Sequence, residues 1–246
     1  MKHEDVIISV ANILNKADRV FMISGAGLSA PSGLQTFRGS NGYWNNISLE
    51  SLASCGGFEV HPEASWDWYN ERIEKYLAAE PNAGHYAIVE IQENVKNFDH
   101  ATQLVDGLLN RAGARNLLEL YGNIFSTRCT NCKEKQSLNK PFDIDNLYHA
   151  CGGRLKPGVI QFGEDLPNFI WSIAKTCKEK ADVIIVVGTS GIVYPAASLT
   201  RTTKKNAVIV EINIEPTLEK ADFVIKLGAE VALPQIVKYL KSIQSQ

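Results

Sequence analysis

The sequence predicts an α/β fold, a doubly wound parallel sheet interrupted by a small inserted part. Three observations predict it. Short β-branched runs alternate with segments of helical periodicity, a glycine-rich stretch follows the first such run, and a cysteine-bearing polar region breaks the alternation between residues 123 and 160. Val6, Ile7, Val10, Ile13 and Leu14 recur at helical spacing, so residues 4–16 form an amphipathic first helix. Arg19 to Ser24 is a short apolar run ending in Gly25-Ala26-Gly27, the way a buried parallel strand enters a loop. Residues 50–80, with three of the four tryptophans among or near them, read as helical. Glu80-Pro81-Asn82-Ala83-Gly84 then punctuates before another helix at 85–95. The 123–160 region carries Cys129-x-x-Cys132, Pro141 and Cys151-Gly152-Gly153 with few periodic runs, so it reads as an inserted module. Beyond it, 182–187 and 207–213 are two further apolar strands, each followed by turn residues.

Composition removes several functions. At 246 residues, 45% hydrophobic and 21% charged, the chain can bury one large core with a satellite. Lys and Arg number 25 against 27 Asp and Glu, a net charge of -2, so the cationic surplus behind nonspecific nucleic-acid binding is missing and no such partner is expected. No run approaches the roughly 20 apolar residues of a membrane helix. Glu4 and Asp5 precede any apolar stretch, unlike a signal peptide, so the expected location is the cytoplasm, or an organelle entered by other means, without a membrane partner and as a monomer. Five cysteines, two of them in Cys129-x-x-Cys132, suggest metal binding or redox work before disulfides.

Gly25-Ala26-Gly27-Leu28-Ser29-Ala30 fits the G-x-G-x-x-G/A pattern directly after a predicted strand, where backbone N–H groups hold dinucleotide phosphates. A tight strand-to-helix turn is the competing reading. Pro31 and Gly33 disfavour a long helix here, so the stretch through Thr36-Phe37-Arg38-Gly39 reads as a cofactor loop. Gly188-Thr189-Ser190 follows the 182–187 strand, and strand ends of this kind line the ligand crevice of an open α/β sheet. Asn213 and Glu215, after the next strand, could hydrogen-bond ribose hydroxyls, although polar residues there are also ordinary turn formers.

The 25–39 stretch, Thr102-Gln103-x-Val105-Asp106-Gly107, Ala112-Gly113, Glu119-Leu120-x-Gly122, Cys129-x-x-Cys132, Cys151-Gly152-Gly153, Phe162-Gly163-Glu164 and Gly188-Thr189-Ser190 resemble, in that order, the motifs of the sirtuins. The match runs from about residue 20 to the end. The resemblance implies NAD-dependent protein lysine deacylation: the acyl group passes from lysine to the ADP-ribose of NAD, and nicotinamide leaves. It also implies a Rossmann-like large part over about 1–38, 85–122 and 162–246, with a small part made of a helical module (about 39–84) and a zinc-ribbon-like module (about 123–161). NAD contacts are then expected from Gly25, Ala26, Gly27, Ser29, Thr36, Phe37, Arg38, Gln103, Leu104, Asp106, Gly188, Thr189, Ser190, Asn213, Glu215 and Ala229. An acyl-lysine peptide should lie between the two parts, pairing by backbone with Gly158-Val159-Ile160. Tyr69-Asn70-Glu71-Arg72 is similar to the class that removes acidic acyl groups such as succinyl or malonyl. A phenol and a guanidinium three residues apart share one helix face and can hold a carboxylate, whereas the competing reading is a surface Tyr and a solvated Arg.

The chain departs from the sirtuin pattern at working positions. Tyr121 stands where the family has histidine as general base for a ribose hydroxyl. A phenol with a pKa of about 10 is deprotonated only about one part in a thousand at neutral pH, a handicap of roughly 4 kcal/mol. Leu104 replaces an asparagine that positions the nicotinamide end and its water, and leucine can neither donate nor accept. Gln35 replaces a proline, which loosens the cofactor loop. His100 is a displaced-base candidate, but a single histidine at a strand edge is more often structural. In the metal module Tyr148 occupies the place of one expected cysteine, so the ligands are Cys129, Cys132, Cys151 and His149 around Zn2+, or the ribbon is empty and held by packing. Cys55 and Cys177 read as small core residues. Three functions follow: a deacylase with impaired turnover, a silent module that binds NAD, ADP-ribose or acyl-lysine, and an enzyme of NAD hydrolysis or ADP-ribosyl transfer.

Overall fold

The computed structural model describes residues 3–36, 52–201, 204 and 206–245. Phe37 and Arg38 of the expected cofactor loop lie outside the described residues. Six parallel strands form one sheet in the order β3-β2-β1-β7-β8-β9, namely β1 (Val20–Ser24), β2 (Phe98–Thr102), β3 (Leu117–Glu119), β7 (Val183–Val187), β8 (Val208–Ile212) and β9 (Phe223–Ile225). The chain winds outward from β1 through β2 to β3 and, after β7, outward the other way. The winding therefore reverses between β1 and β7, which is where a doubly wound sheet opens a crevice at its carboxyl ends.

Alternation along the central strands sorts their side chains to two faces. Val20, Met22, Val183, Ile185 and Val187 bury one face under α1 (His3–Lys16), α4 (Ala83–Asn94) and α7 (Ala229–Gln244). Phe21, Ile23, Ile184 and Val186 bury the other against Ala174 of α6 (Asn168–Lys180) and the short turn Ala196–Thr200. Both faces being covered, these strands read as unbroken apolar runs in the sequence. β2 escapes that signal because Phe98-Asp99-His100-Ala101-Thr102 contains three polar residues; in-register parallel pairing with β1 makes it a strand. His100 consequently sits inside the sheet rather than at a strand edge.

The small part has an antiparallel sheet in the order β5-β4-β6, built of β4 (Gly122–Cys129), β5 (Lys135–Ser137) and β6 (Leu155–Val159). The helical stretch expected over 50–80 is broken in two, α2 (Cys55–Val60) and α3 (Pro62–Ala78), because Pro62 has no N–H for an inner turn but suits a first helical position. Trp66, Tyr69 and Ile73 of α3 pack on Ile124 and Val159 of the small sheet. The Trp66 ring stacks on Phe142 at 4.0 Å between centroids and donates its N–H to the Leu155 carbonyl at 2.9 Å, so its one polar atom is satisfied in the core. Cys55 and Cys177 are only half-buried, not core residues as expected. The remaining helix, α5 (Leu108–Ala112), lies between glycines with positive φ, Gly107 and Gly113.

Candidate functional site

Two glycine-bearing loops meet backbone to backbone at the carboxyl ends of β1 and β7. Gly27 N–H donates to the Gly188 carbonyl at 2.8 Å, and a Cβ on Gly27 would lie 2.8 Å from Gly188 Cα. A Cβ on Gly25 would lie 2.7 Å from Thr189 Cβ. Only glycine permits this approach. The loop then makes two tight turns, Ala26–Leu28 and Ala30–Ser32, in place of a long helix, as Pro31 and Gly33 predict.

Below the loop runs a buried proton-ordered chain. The Asn82 backbone N–H donates to His85 Nδ1 at 3.1 Å, which leaves the ring proton on Nε2, facing Ser29 Oγ at 3.3 Å. Ser29 Oγ in turn donates to Asp106 Oδ2 at 2.7 Å, and Asp106 Oδ1 accepts the Leu108 N–H at 2.9 Å. Burial pulls His85 down to about 4 and pushes the Asp106 carboxyl above its ordinary range. Asn82 also donates to the Leu28 carbonyl at 2.9 Å, tying the start of α4 to the loop. The sequence reading names Ser29 and Asp106 but assigns His85 no role; its signal is the capping spacing of Asn82 and His85.

The other expected cofactor residues gather around this floor or fall at its margin. Gln103 Nε2 donates to Thr189 Oγ1 at 3.0 Å, and Asn213 Nδ2 to the Thr189 carbonyl at 3.1 Å. Ala229 begins α7 against Gly84. Ala26, Thr36 and Ser190 are half-buried, whereas Glu215 is exposed. His100 is buried and neutral, pulled down to about 3 by burial and then by His85; its Nε2 faces Ser24 Oγ at 2.9 Å, while its Nδ1 has no partner among the described residues. That is a structural histidine.

The substituted wall is apolar. Leu104 joins the cluster under α1, α4 and α7, and Tyr121 packs with Trp171 and Ile170 against the opposite cluster. The Tyr121 hydroxyl is buried without a hydrogen-bond partner among the described residues, and burial pushes it up to about 12. Neither group can act as a base at neutral pH.

Tyr69 and Arg72 are each 5% exposed, against the reading of a surface Tyr and a solvated Arg. Arg72 Nη1 donates to the Trp68 carbonyl at 2.8 Å, and its guanidinium carbon sits 3.2 Å from the Trp68 ring centroid. Burial holds the Tyr69 phenol above its usual range, so it is a hydrogen-bond donor. Val159 ends β6, an edge strand.

Cys129, Cys132, Cys151 and His149 place their ligand atoms within 4.8 Å of one another. Cys129 and Cys151 sulfurs are 3.4 Å apart, and His149 Nδ1 lies 3.5 Å from Cys132 Sγ and 3.3 Å from Cys151 Sγ. Tetrahedral zinc with bonds of about 2.0–2.3 Å needs ligand separations of about 3.3–3.8 Å, so the donor set fits the ion. Tyr148 is 64% exposed and takes no part. His149 Nε2 faces Glu134 Oε2 at 3.4 Å, an outer carboxylate that the sequence reading does not name and that orients the ring.

Residues 25–195 match the model of the Sir2 family. A protein named NAD-dependent protein deacylase from Pyrococcus abyssi is 38% identical over 97% of this chain and 99% of its own length. One named NAD-dependent protein deacylase 2 from Pyrobaculum aerophilum is 41% identical over 95% of this chain and 96% of its own. Among solved structures, a Sir2 homologue bound to NAD superposes with TM-score 0.88 at 36% identity, covering 96% of this chain and 94% of the other. A Sir2 variant with a deacetylated p53 peptide and an acetyl ADP-ribose gives TM-score 0.84 at 28% identity over 94% and 96% of the two chains.

Proposed function

This chain belongs to the Sir2 family, and from that premise we infer that it is an NAD-dependent protein deacylase. More finely, its turnover is held down by Tyr121 and Leu104, and its acyl pocket at Tyr69 and Arg72 favours acidic chains. The observation that carries the cofactor reading is the glycine floor at the β1–β7 reversal, underlain by the buried His85, Ser29 and Asp106 chain. NAD bound there supplies an ADP-ribose acceptor for the acyl group. The protein's residues do the rest. Gly25, Gly27 and Gly188 admit close backbone approach, and Ser29 and Asp106 offer fixed polar groups beside Gln103. The edge of β6 near Val159 pairs with the substrate backbone, and the Tyr69 phenol and Arg72 guanidinium hold the acyl carboxylate. Zinc at Cys129, Cys132, Cys151 and His149 would brace the small sheet, to which Cys129 belongs as the last residue of β4. The protein works on protein-borne acyl-lysine as a cytoplasmic monomer. No helix among the described residues is long and apolar enough to cross a membrane.

A second reading, a silent module that binds ADP-ribose or acyl-lysine, is favoured by the unpartnered Tyr121 hydroxyl and the apolar Leu104. One experiment separates the two. Zinc-replete protein is titrated with ADP-ribose by calorimetry, and nicotinamide release from NAD is followed with succinylated, acetylated and unmodified peptide. Release that depends on acylated peptide, succinyl above acetyl, is expected. Release equal to a blank with ADP-ribose still bound selects the second reading, and absence of ADP-ribose binding at millimolar concentration overturns both.

A further inference from the structure

The geometry points to Gln161 as a specificity-determining residue of the acyl pocket, donating its side-chain N–H to the carboxylate of an acidic acyl group beside Tyr69 and Arg72. This rests on the reading of Tyr69 and Arg72 as that pocket. Gln161 follows β6 by two residues, next to the backbone at which the peptide would pair, yet its side chain is turned inward and the residue is 3% exposed. Its amide orientation is set by charge. Lys156 Nζ lies 3.4 Å from Oε1, and an ammonium cannot face an NH2 group, so the amide nitrogen points the other way. There Nε2 faces the Tyr69 phenol oxygen without closing a hydrogen bond to it or to any other described residue. A buried donor left unpaired is costly, and native proteins rarely keep one without a ligand or water to meet it. Gln161 is close enough to Tyr69 to favour the phenolate, and Tyr69 also feels the charge of Arg72, which places the amide, the phenol and the guanidinium in one cluster.

The charge around that cluster suits an anion. Glu164 is its carboxylate, and its field alone would repel one. Lys156 Nζ donates to Glu164 Oε2 at 2.5 Å, however, and Arg128 Nη2 lies 3.7 Å from Oε1, so two cations meet this one carboxylate before Arg72 is counted. An acyl group ending in a carboxylate presents two oxygens with room for several donors, whereas acetyl ends in a methyl that leaves Nε2 unmet.

The test needs no turnover. Zinc-replete protein with saturating ADP-ribose is titrated by fluorescence anisotropy with one labelled peptide carrying either succinyl-lysine or acetyl-lysine. The wild-type chain is expected to prefer succinyl. Gln161→Leu should lower the succinyl-to-acetyl affinity ratio roughly tenfold. Gln161→Asn, which keeps the amide but withdraws it by one methylene, should lower it less, and it decides the matter if the leucine variant does not fold. A ratio unmoved by the folded Gln161 variants, while Arg72→Met lowers it, overturns the role of Gln161 and leaves the pocket standing. A wild-type chain that binds neither peptide, or both alike, overturns the pocket reading and this inference with it.

Discussion

The floor and the wall of the crevice are built to different standards. On the floor, His85, Ser29 and Asp106 are buried and each polar group that the chain uses meets a partner with consistent donor and acceptor direction. On the wall, Leu104 and Tyr121 are absorbed into apolar packing, and the Tyr121 hydroxyl meets nothing among the described residues. Buried polar networks are costly when half satisfied, and the one beneath the glycine cradle is complete. The wall carries no comparable demand. On the proposed reading, recognition of the dinucleotide and chemistry upon it depend on separate residues, so that one can weaken while the other persists.

The sharpest way to break this comparison is Gly27→Val. Its Cβ has Gly188 Cα at 2.8 Å, so the loops must part, and ADP-ribose affinity should fall by about a hundredfold or more in calorimetry. Undiminished binding would detach the floor from the cofactor. Next, Leu104→Asn with Tyr121→His should restore peptide-dependent nicotinamide release by about tenfold or more beyond the product of the single changes, with Tyr121→His alone recovering little. Full recovery by the single change would make Leu104 irrelevant. A pH series follows. His85 and His100 are held near about 4 and about 3 in the folded chain, so below about 6.5 the unfolded chain binds protons that the folded one refuses. Stability is therefore complete above about 6.5 and is lost as pH falls toward those values, with a slope of at most about 2.7 kcal/mol per pH unit. Asp106 opposes this, because its raised carboxyl makes the folded chain bind a proton first. Denaturant melts from pH 7 to 5 should show the decline, and His100→Gln should make it shallower.

Smaller effects sharpen the contrast. Ser29→Ala strips His85 and Asp106 of a shared partner and should cost about 1–3 kcal/mol in the same melts. Tyr121→Phe removes a hydroxyl without a partner among the described residues and should change stability by less than about 1 kcal/mol, in either direction. If Tyr121→Phe proved the more damaging of the two, the hydroxyl would have a partner in solution and the wall would be polar after all.

Much of the architecture was legible because burial leaves a signature. The apolar runs of β1, β7 and β8 are readable since both sheet faces are covered, and the helical stripes of α1 and α4 since each buries one side. β2 was not, because its polar residues become a strand only by pairing with β1. In the candidate site, Gly25, Gly27, Ser29, Gln103, Asp106 and Thr189 could be named from local motifs, and the structure draws them together. His85, Glu134 and Gln161 received no role, because a side chain that acts through a partner distant in the chain carries no local signal. The metal ligands lie between these cases. The Cys129 and Cys132 pair is visible in sequence, but His149 competes with an empty ribbon until the folded turn sets its Nδ1 beside two sulfurs.

By itself the sequence determined the α/β class and the glycine loop at the first strand's end, since periodicity and glycine spacing are local properties. Only the tertiary structure decided that His85 points its proton at Ser29, that Tyr69 and Arg72 are buried rather than solvated, and that the Gln161 amide nitrogen closes no hydrogen bond among the described residues. Those depend on which groups lose water together, and desolvation is settled by the packing of segments that are far apart in the chain.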